Sequence, residues 1–308
     1  MPEMSANPFD AAGPETDDRE LVRRVQQGDR GALDALVARH RPWIYNVALR
    51  MVYLPQDADD AAQEILIKAI TSLSTFEGRS RVRTWLYRIA INHLLNMRRT
   101  RAEEVGYTFE SYAAGLDTAP DLDLPDPNTV PADLQLLVDE ARIGCSTGML
   151  LCLDREQRLV YVLGEIFGVT DTVGAELLEV SREAFRQRLS RARRDLHEFM
   201  DRKCGLVNTA NPCRCARKTR AFIKAGFVDP AKLLFASAHV TRVRELAPKV
   251  HEDVNALDAA YAEVHRDHPF QAPPALAGAI RALLQQPGAE SILDGARAPG
   301  SEETHERA

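Results

Sequence analysis

From Asp18 onward the apolar positions fall at helical spacing. Leu21, Val22 and Val25 mark one face of a first helix that ends at Gly28, and Asp29 can cap a second. The stripe of that second helix is Leu33, Leu36, Val37, Trp43, Ile44 and Val47. Leu54–Pro55 interrupts it, and the pattern resumes from Asp57 to Leu73 through Ala61, Ile65 and Ile67. After a loop at 76–80 a last amphipathic stretch runs from Arg83 to Arg99. The pattern predicts a bundle of about four helices over 18–102. It vanishes over 103–131, where Pro120, Pro125, Pro127 and Pro131 stand among acids and predict an extended linker. It returns over 132–203, where Asp154 with Gln157 resembles a capping box and Thr170 and Ser181 can each cap a helix. The turn between those last two helices, 178–181, has helix-turn-helix length. Beyond it, an extension over 204–308 predicts helices near 217–236, 240–265 and 275–286. The arm 1–17 has no periodicity and is expected to be disordered. The expected fold class is therefore all-α: two small helical domains joined by an acidic linker, plus a helical C-terminal extension.

Composition adds little until it is resolved along the chain. The 308 residues are 45% hydrophobic and carry a formal charge of -6. No run approaches the roughly 18 apolar residues of a membrane span. The N-terminus lacks the order of a secretory leader, so a cytoplasmic protein without a membrane partner is expected. Taken alone, the acidic total argues against nucleic acid. Yet residues 79–102 hold seven arginines and no acid, residues 103–141 hold ten acids and no Lys or Arg, and residues 182–224 carry a local +9. Two cationic stripes flank an anionic segment.

The second stripe coincides with the second helix of the helix-turn-helix. Ala184, Phe185 and Leu189 can face the preceding helix while Arg182, Arg186 and Gln187 project near its start, where a recognition helix meets base edges. Ser190, Arg191 and Arg194, with Arg193, suit phosphates. A solvated arginine-rich surface helix is the plainer alternative. The first stripe mixes Arg79, Arg81, Arg83 and Arg88 with Phe76, Trp85 and Tyr87, a texture suited to single-stranded nucleic acid. For Trp85, core packing is the stronger expectation.

Asp57-Ala58-Asp59-Asp60-Ala61-Ala62-Gln63-Glu64, then Phe76-Glu77-Gly78, then 83–92 (Arg-Thr-Trp-Leu-Tyr-Arg-Ile-Ala-Ile-Asn) resembles region two of extracytoplasmic-function sigma factors. Residues 153–158 (Leu-Asp-Arg-Glu-Gln-Arg), Gly168-Val169 and the helix ending at Leu196 resemble region four. The resemblance covers 18–102 and about 140–200. It implies that Asp57, Asp60, Gln63 and Glu64 dock on core RNA polymerase. An acidic helix start favoured by the macrodipole is their bland alternative. It implies that Phe76, Arg79, Arg83, Arg88 and Asn92 hold the melted minus-ten strand, with Arg98 and Arg99 nearer the duplex. The helix from Ser181 to Arg194 would read the minus-thirty-five element, and the acidic linker would thread toward the RNA exit path. An anti-sigma factor is a further partner the resemblance allows. One departure stands out: residues 170–178 carry Gly174, which costs a helix up to about 1 kcal/mol relative to Ala, so packing there should differ from relatives.

Five cysteines occur, an odd number that argues against a disulfide framework. Cys204, Cys213 and Cys215 lie among basic residues expected to lower thiol pKa values. With a fourth ligand (His197, Cys145 or Cys152) these three could hold zinc, although no cofactor is required and unliganded thiols are the alternative. Cys145 and Cys152 sit beside Met149, Leu150 and Leu151 and read as buried apolar thiols. His265 and His268, three apart, read as surface or capping residues. No phosphate loop, nucleophile elbow or acid pair indicates an enzyme. The expected function is promoter-specific transcription initiation, with the extension gating it. The rivals are a helix-turn-helix regulator without polymerase and a metal or redox sensor on a degenerate sigma module.

Overall fold

The computed structural model describes residues 15–122 and 132–235, and within them every regular element is helical. The expectations for residues 1–14, for Pro125, Pro127 and Pro131, for the helices beyond 235 and for His265 and His268 lie outside the described residues, whereas 15–17, expected to be part of a disordered arm, open the first helix.

Helix α1 (Glu15–Gln26) buries Val22 and Val25 and is anchored by a carboxylate, not only by its apolar face. Asp18, wholly buried, accepts from Arg39 at 2.7 Å and from Arg83 at 2.8 Å, with His40 Nε2 3.4 Å away. Burial pushes its pKa up, but His40, Arg39 and Arg83 outweigh that and hold it at about 2. Asp29 caps α2 (Arg30–Val52) through the Ala32 amide at 3.1 Å. The α2 stripe named above is buried throughout. Tyr53 leaves α2 at φ 75°, and Pro55 opens α3 (Pro55–Thr71) from its first position, where no amide is missed. Helix α4 (Val82–Asn96) packs across α1, α2 and α3 and completes the first unit, with Trp43 stacked on Tyr87 at 3.9 Å.

The acidic segment departs from the extended linker expected of it. Thr100 begins a single turn, α5 (Arg101–Glu104), and Thr108 caps α6 (Phe109–Thr118). The prolines begin only at 120, so nothing forbids helix before them. Phe109 and Tyr112 also supply apolar anchors, both rings lying against Phe199 of the second unit. That unit comprises α7 (Ala132–Leu150), α8 (Arg155–Tyr161), which passes into one π-turn at Val162–Ile166, α9 (Asp171–Leu178) and α10 (Arg182–Lys203). The caps at Asp154, Thr170 and Ser181 form as expected. Helix α11 (Cys215–Lys224) packs on α7 and is shorter than the expected 217–236, because the chain turns at Gly226 with φ 78°.

The two units share one core. Phe167 lies edge-on to Trp43 at 5.9 Å, and the Arg50 guanidinium sits 5.2 Å from the same ring. At the centre of the junction Glu103 accepts from Arg155 at 2.7 and 2.5 Å, from Arg158 at 3.1 Å and from the Thr100 amide at 3.1 Å. Arg155 also donates to the carbonyls of Leu95, Met97 and Arg98, at the end of α4. Arg158 donates to Leu150 and Leu153, where α7 finishes, and to Met51, where α2 finishes. Two arginines of α8 thus donate to carbonyls at three helix ends, where the helix dipoles favour cations.

Burial raises the Glu103 pKa, yet Arg155, the Thr100 amide and Arg158 bring it down to about 2 from an ordinary 4.5. A depressed carboxyl pKa stabilises the fold above the unfolded value and loses that contribution as pH falls toward the folded one. The Glu103 contribution should therefore be flat above about pH 5 and fall away between 4.5 and about 2, a loss of roughly 3 kcal/mol. Glu103→Ala, which strands two arginines, should cost about 3–5 kcal/mol at neutral pH and flatten that acid transition. Urea unfolding across pH measures both.

Gly174 explains the departure at α9: a Cβ there would overlap the Phe185 ring of α10. Gly174→Ala should destabilise by about 1–3 kcal/mol despite the better helix propensity of Ala. Adding Phe185→Leu should recover part of the loss, which a double-mutant cycle in urea would detect.

Candidate nucleic-acid and polymerase interface

The helix-turn-helix is set by close packing at its elbow. Glu179 turns the chain at φ 55°, Phe185 is buried against Gly174, and half-buried Leu189 lies against Gly164. With that side of α10 fixed, Arg182, Arg186, Gln187, Ser190, Arg191 and Arg194 are all exposed on the other. Arg182 pairs with Asp171 at 3.2 Å and Arg186 with Glu183 at 3.0 Å, while Gln187 donates to Glu183 at 3.2 Å. Arg194 pairs with its neighbour Asp195 at 3.1 Å. Such surface pairs are held weakly in water and can be exchanged for phosphates or base edges. Arg193 is committed elsewhere, to Glu165 on the α8 side.

The first stripe divides. Phe76 tilts onto Trp85 with centroids 5.2 Å apart, both half-buried against the core, in keeping with packing as the first duty of Trp85. Gly78 turns the loop at φ 72° and leaves Arg79 exposed beside Glu77. Asn92, Arg98 and Arg99 are exposed as well. Arg83 is a correction: it is buried, and it points back to Asp18 rather than toward solvent. It falls on the inner side of α4 with Val82, Leu86, Tyr87 and Ala90, so its charge serves the α1 anchor. Arg88 is half-buried and donates to the Glu176 carbonyl at 3.1 Å, with Glu179 at 3.4 Å, so the second unit occupies it.

On α3 the spacing of Asp57, Asp60, Gln63 and Glu64 puts all four on one accessible side, while Ala58, Ala61, Ala62 and Ile65 are buried. Partial burial, then Asp60 and Glu103, push the Asp57 pKa up. The face is therefore a crowded anionic one that a cationic partner would relieve. Glu64 lies 3.7 Å from His93, which accepts at Nδ1 from Lys68 at 2.7 Å.

The cysteines behave otherwise than their basic surroundings suggested. Burial dominates and pushes the Cys204 and Cys213 thiols up and Cys215 to about 12. Cys145 and Cys152 are raised by burial as well, although both are half-buried rather than the buried apolar thiols expected of them. Among the described residues no three His, Cys, Asp or Glu side chains already stand together as a metal-holding group. His197 lies edge-on to Tyr161 at 6.5 Å.

Sequence reasoning missed Asp18, Glu103, Arg155 and Arg158, the residues that hold the interfaces in place. The spacing Thr100-x-x-Glu103 was the available signal for α5, being a capping-box pattern inside a supposed linker.

Known proteins are similar to this chain in sequence. The Sigma-70 region 2 family matches residues 36–104. The RNA polymerase sigma-H factor of Pseudomonas aeruginosa is 32% identical over 181 residues, covering 57% of this chain and 90% of that protein. The ECF RNA polymerase sigma-E factor of Haemophilus influenzae is 31% identical over 182 residues, covering 57% and 91%. The solved structure of CnrH in complex with the cytosolic domain of CnrY is 26% identical, covers 60% of this chain and 97% of that one, and has a TM-score of 0.42. The chain belongs to the extracytoplasmic-function sigma factors, which bind core RNA polymerase, bind promoter DNA and direct transcription initiation.

Proposed function

We propose that this sigma factor rests in a closed state latched by its own C-terminal segment, and that opening it presents the interfaces described above. In the open state the α3 face of Asp57, Asp60, Gln63 and Glu64 docks on polymerase. The 76–80 loop with Arg79, Arg88 and Asn92 holds the melted strand, and Arg98 and Arg99 lie nearer the duplex. Arg182, Arg186, Gln187, Ser190, Arg191 and Arg194 read the minus-thirty-five duplex. An anti-sigma protein would act by covering the α3 face and the exposed side of α10.

The latch reading rests on one observation. The buried Glu140 carboxylate accepts the backbone amides of Leu234 and Phe235 at 2.6 and 2.8 Å. This seats the Phe235 ring 5.7 Å from Tyr53, at the end of α2 in the first unit. A carboxylate on α7 thereby ties the extension to both units. With Arg88 held by Glu176, a residue placed at the melted strand stays engaged until the units part.

Truncation after Asp229 removes the latch and spares α11. It should raise promoter-specific transcription with purified core polymerase severalfold at limiting factor; unchanged transcription sinks the latch. For duplex readout, Arg191→Ala should weaken all sequences alike and reduce the salt slope by about 1. Arg186→Ala should cost about 1–3 kcal/mol and relax preference at one base pair. Binding titrations at several salt concentrations separate the two, and equal effects on every sequence from both variants would remove Arg186 from base readout.

A further inference from the structure

Beyond α11 the chain reaches α7 through a short preformed turn. Asp229 accepts the Ala231 amide on its side chain at 2.9 Å and the Lys232 amide on its carbonyl at 3.1 Å, with Pro230 between them. Proline in that place sets φ in advance, so the turn needs little further ordering. Leu233 and Leu234 follow, half-buried, and then Phe235, which is 2% exposed. No helix carries these residues.

The place that receives them is shaped by three residues. Glu140 is buried on α7, and its carboxylate oxygens take one amide each, Leu234 on Oε1 at 2.6 Å and Phe235 on Oε2 at 2.8 Å. Amide bonds to a carboxylate are strong, and they read the main chain whatever the side chain, proline excepted. One turn further along the same side of α7 stands Gly144. A Cβ there would lie 3.6 Å from Phe235 Cε2 and 3.3 Å from the Tyr53 hydroxyl, so any longer side chain would take the place of the ring. Glycine inside a helix is unfavourable, and here it leaves the slot open. Tyr53 forms the opposite wall from the centre of a γ-turn, at φ 75° and ψ -54°, with the Leu54 amide donating to the Val52 carbonyl at 3.0 Å. That turn is rare and strained for a residue with a side chain. It carries the Tyr53 ring to 5.7 Å from Phe235, edge-on.

We propose that Glu140, Gly144 and Tyr53 form a peptide-binding site, and that a segment of a partner protein can enter it in place of residues 234–235. Its ligand is a short peptide with a phenylalanine side chain and two successive free amides, that of the phenylalanine and that of the residue before it. The assignment rests on the latch reading and names what the latched seat recognises. Two amides and one ring define the fit, and none of them needs covalent continuity with α11. The chain's own segment keeps the seat by proximity, because a short tether holds it at an effective concentration of about millimolar. A partner displaces it by adding contacts elsewhere on the surface, which lowers the cost of bringing its own phenylalanine to the slot. A proline at either amide position, or an aliphatic residue in place of the ring, excludes a competitor.

The probe is a fluorescein-labelled peptide of residues 228–237, added to the full chain carrying Phe235→Ala, which empties the slot. Saturable anisotropy is expected, about tenfold tighter than on the unaltered chain, whose tethered segment competes. A peptide with Phe235→Ala, or one methylated on the Leu234 and Phe235 amides, should bind severalfold more weakly, and Glu140→Gln in the acceptor should do the same. Far-UV circular dichroism reports whether each acceptor is folded. A second measurement needs no variant: a peptide with a photoreactive diazirinyl-phenylalanine at 235, in large excess over the unaltered chain, should cross-link to 140–148 or to Tyr53. Cross-links scattered over the surface, no saturable binding to a folded acceptor, or equal binding of the methylated peptide would each overturn the site. The latch and the site fail separately. Peptide binding with transcription unchanged by truncation removes the latch and keeps the site, whereas raised transcription on truncation without peptide binding removes the site.

Discussion

One carboxylate holds this molecule in a single piece. Glu103 is buried between the two helical units, and it accepts from both arginines of α8. A buried pair is not inherently stabilising, because desolvation can match the attraction. This one succeeds because the arginines have further work. Their remaining donors meet carbonyls at the ends of α2, α4 and α7, where the helix dipoles favour a cation. Three helix termini, two cations and one anion are satisfied together, and removing the anion alone would leave the cations facing helix ends in an apolar core.

The DNA-facing side chains depend on that arrangement indirectly. Gly174 lets α9 and α10 approach until Phe185 fills the gap, and this fixes the rotation of α10 about its axis. The exposed row from Arg182 to Arg194 follows from that rotation, not from any preference of arginine for its place. The local pairs with Asp171 and Glu183 hold that row only weakly, as exposed ion pairs do.

The helices, their caps and the division into two cationic stripes were legible in the sequence because each rests on spacing within a dozen residues. Asp29, Asp154, Thr170 and Ser181 all cap as their positions implied. What failed was long-range. Arg83 has the look of a DNA contact in a stripe of seven arginines, and only the arrival of Asp18 from 65 residues away turns it inward. The acidic segment looked like linker because its composition is that of one, and composition says nothing of Phe109 and Tyr112 finding Phe199. The thiols were misjudged for the same reason: nearby basic residues are visible in sequence, whereas the burial that outweighs them is not.

The closed arrangement also explains why the net charge of -6 misled. Opposite charges need not be near in sequence to neutralise one another in space. Glu103 answers Arg155 and Arg158, Asp18 answers Arg39 and Arg83, and Asp117 answers Lys203 at 2.6 Å. Each pair draws its acid and its base from different helices, so the apparent blocks of charge are partly neutralised within the fold: the Glu103 and Asp18 pairs inside it and Asp117–Lys203 at its surface. The cations left over are those on α10, on the 76–80 loop and at the end of α4, where no packed partner claims them fully. The exposed surface of α10 is therefore far more cationic than the sum, and that of α3 is the opposite. The fold spends its matched charges on structure and leaves the mismatched ones exposed.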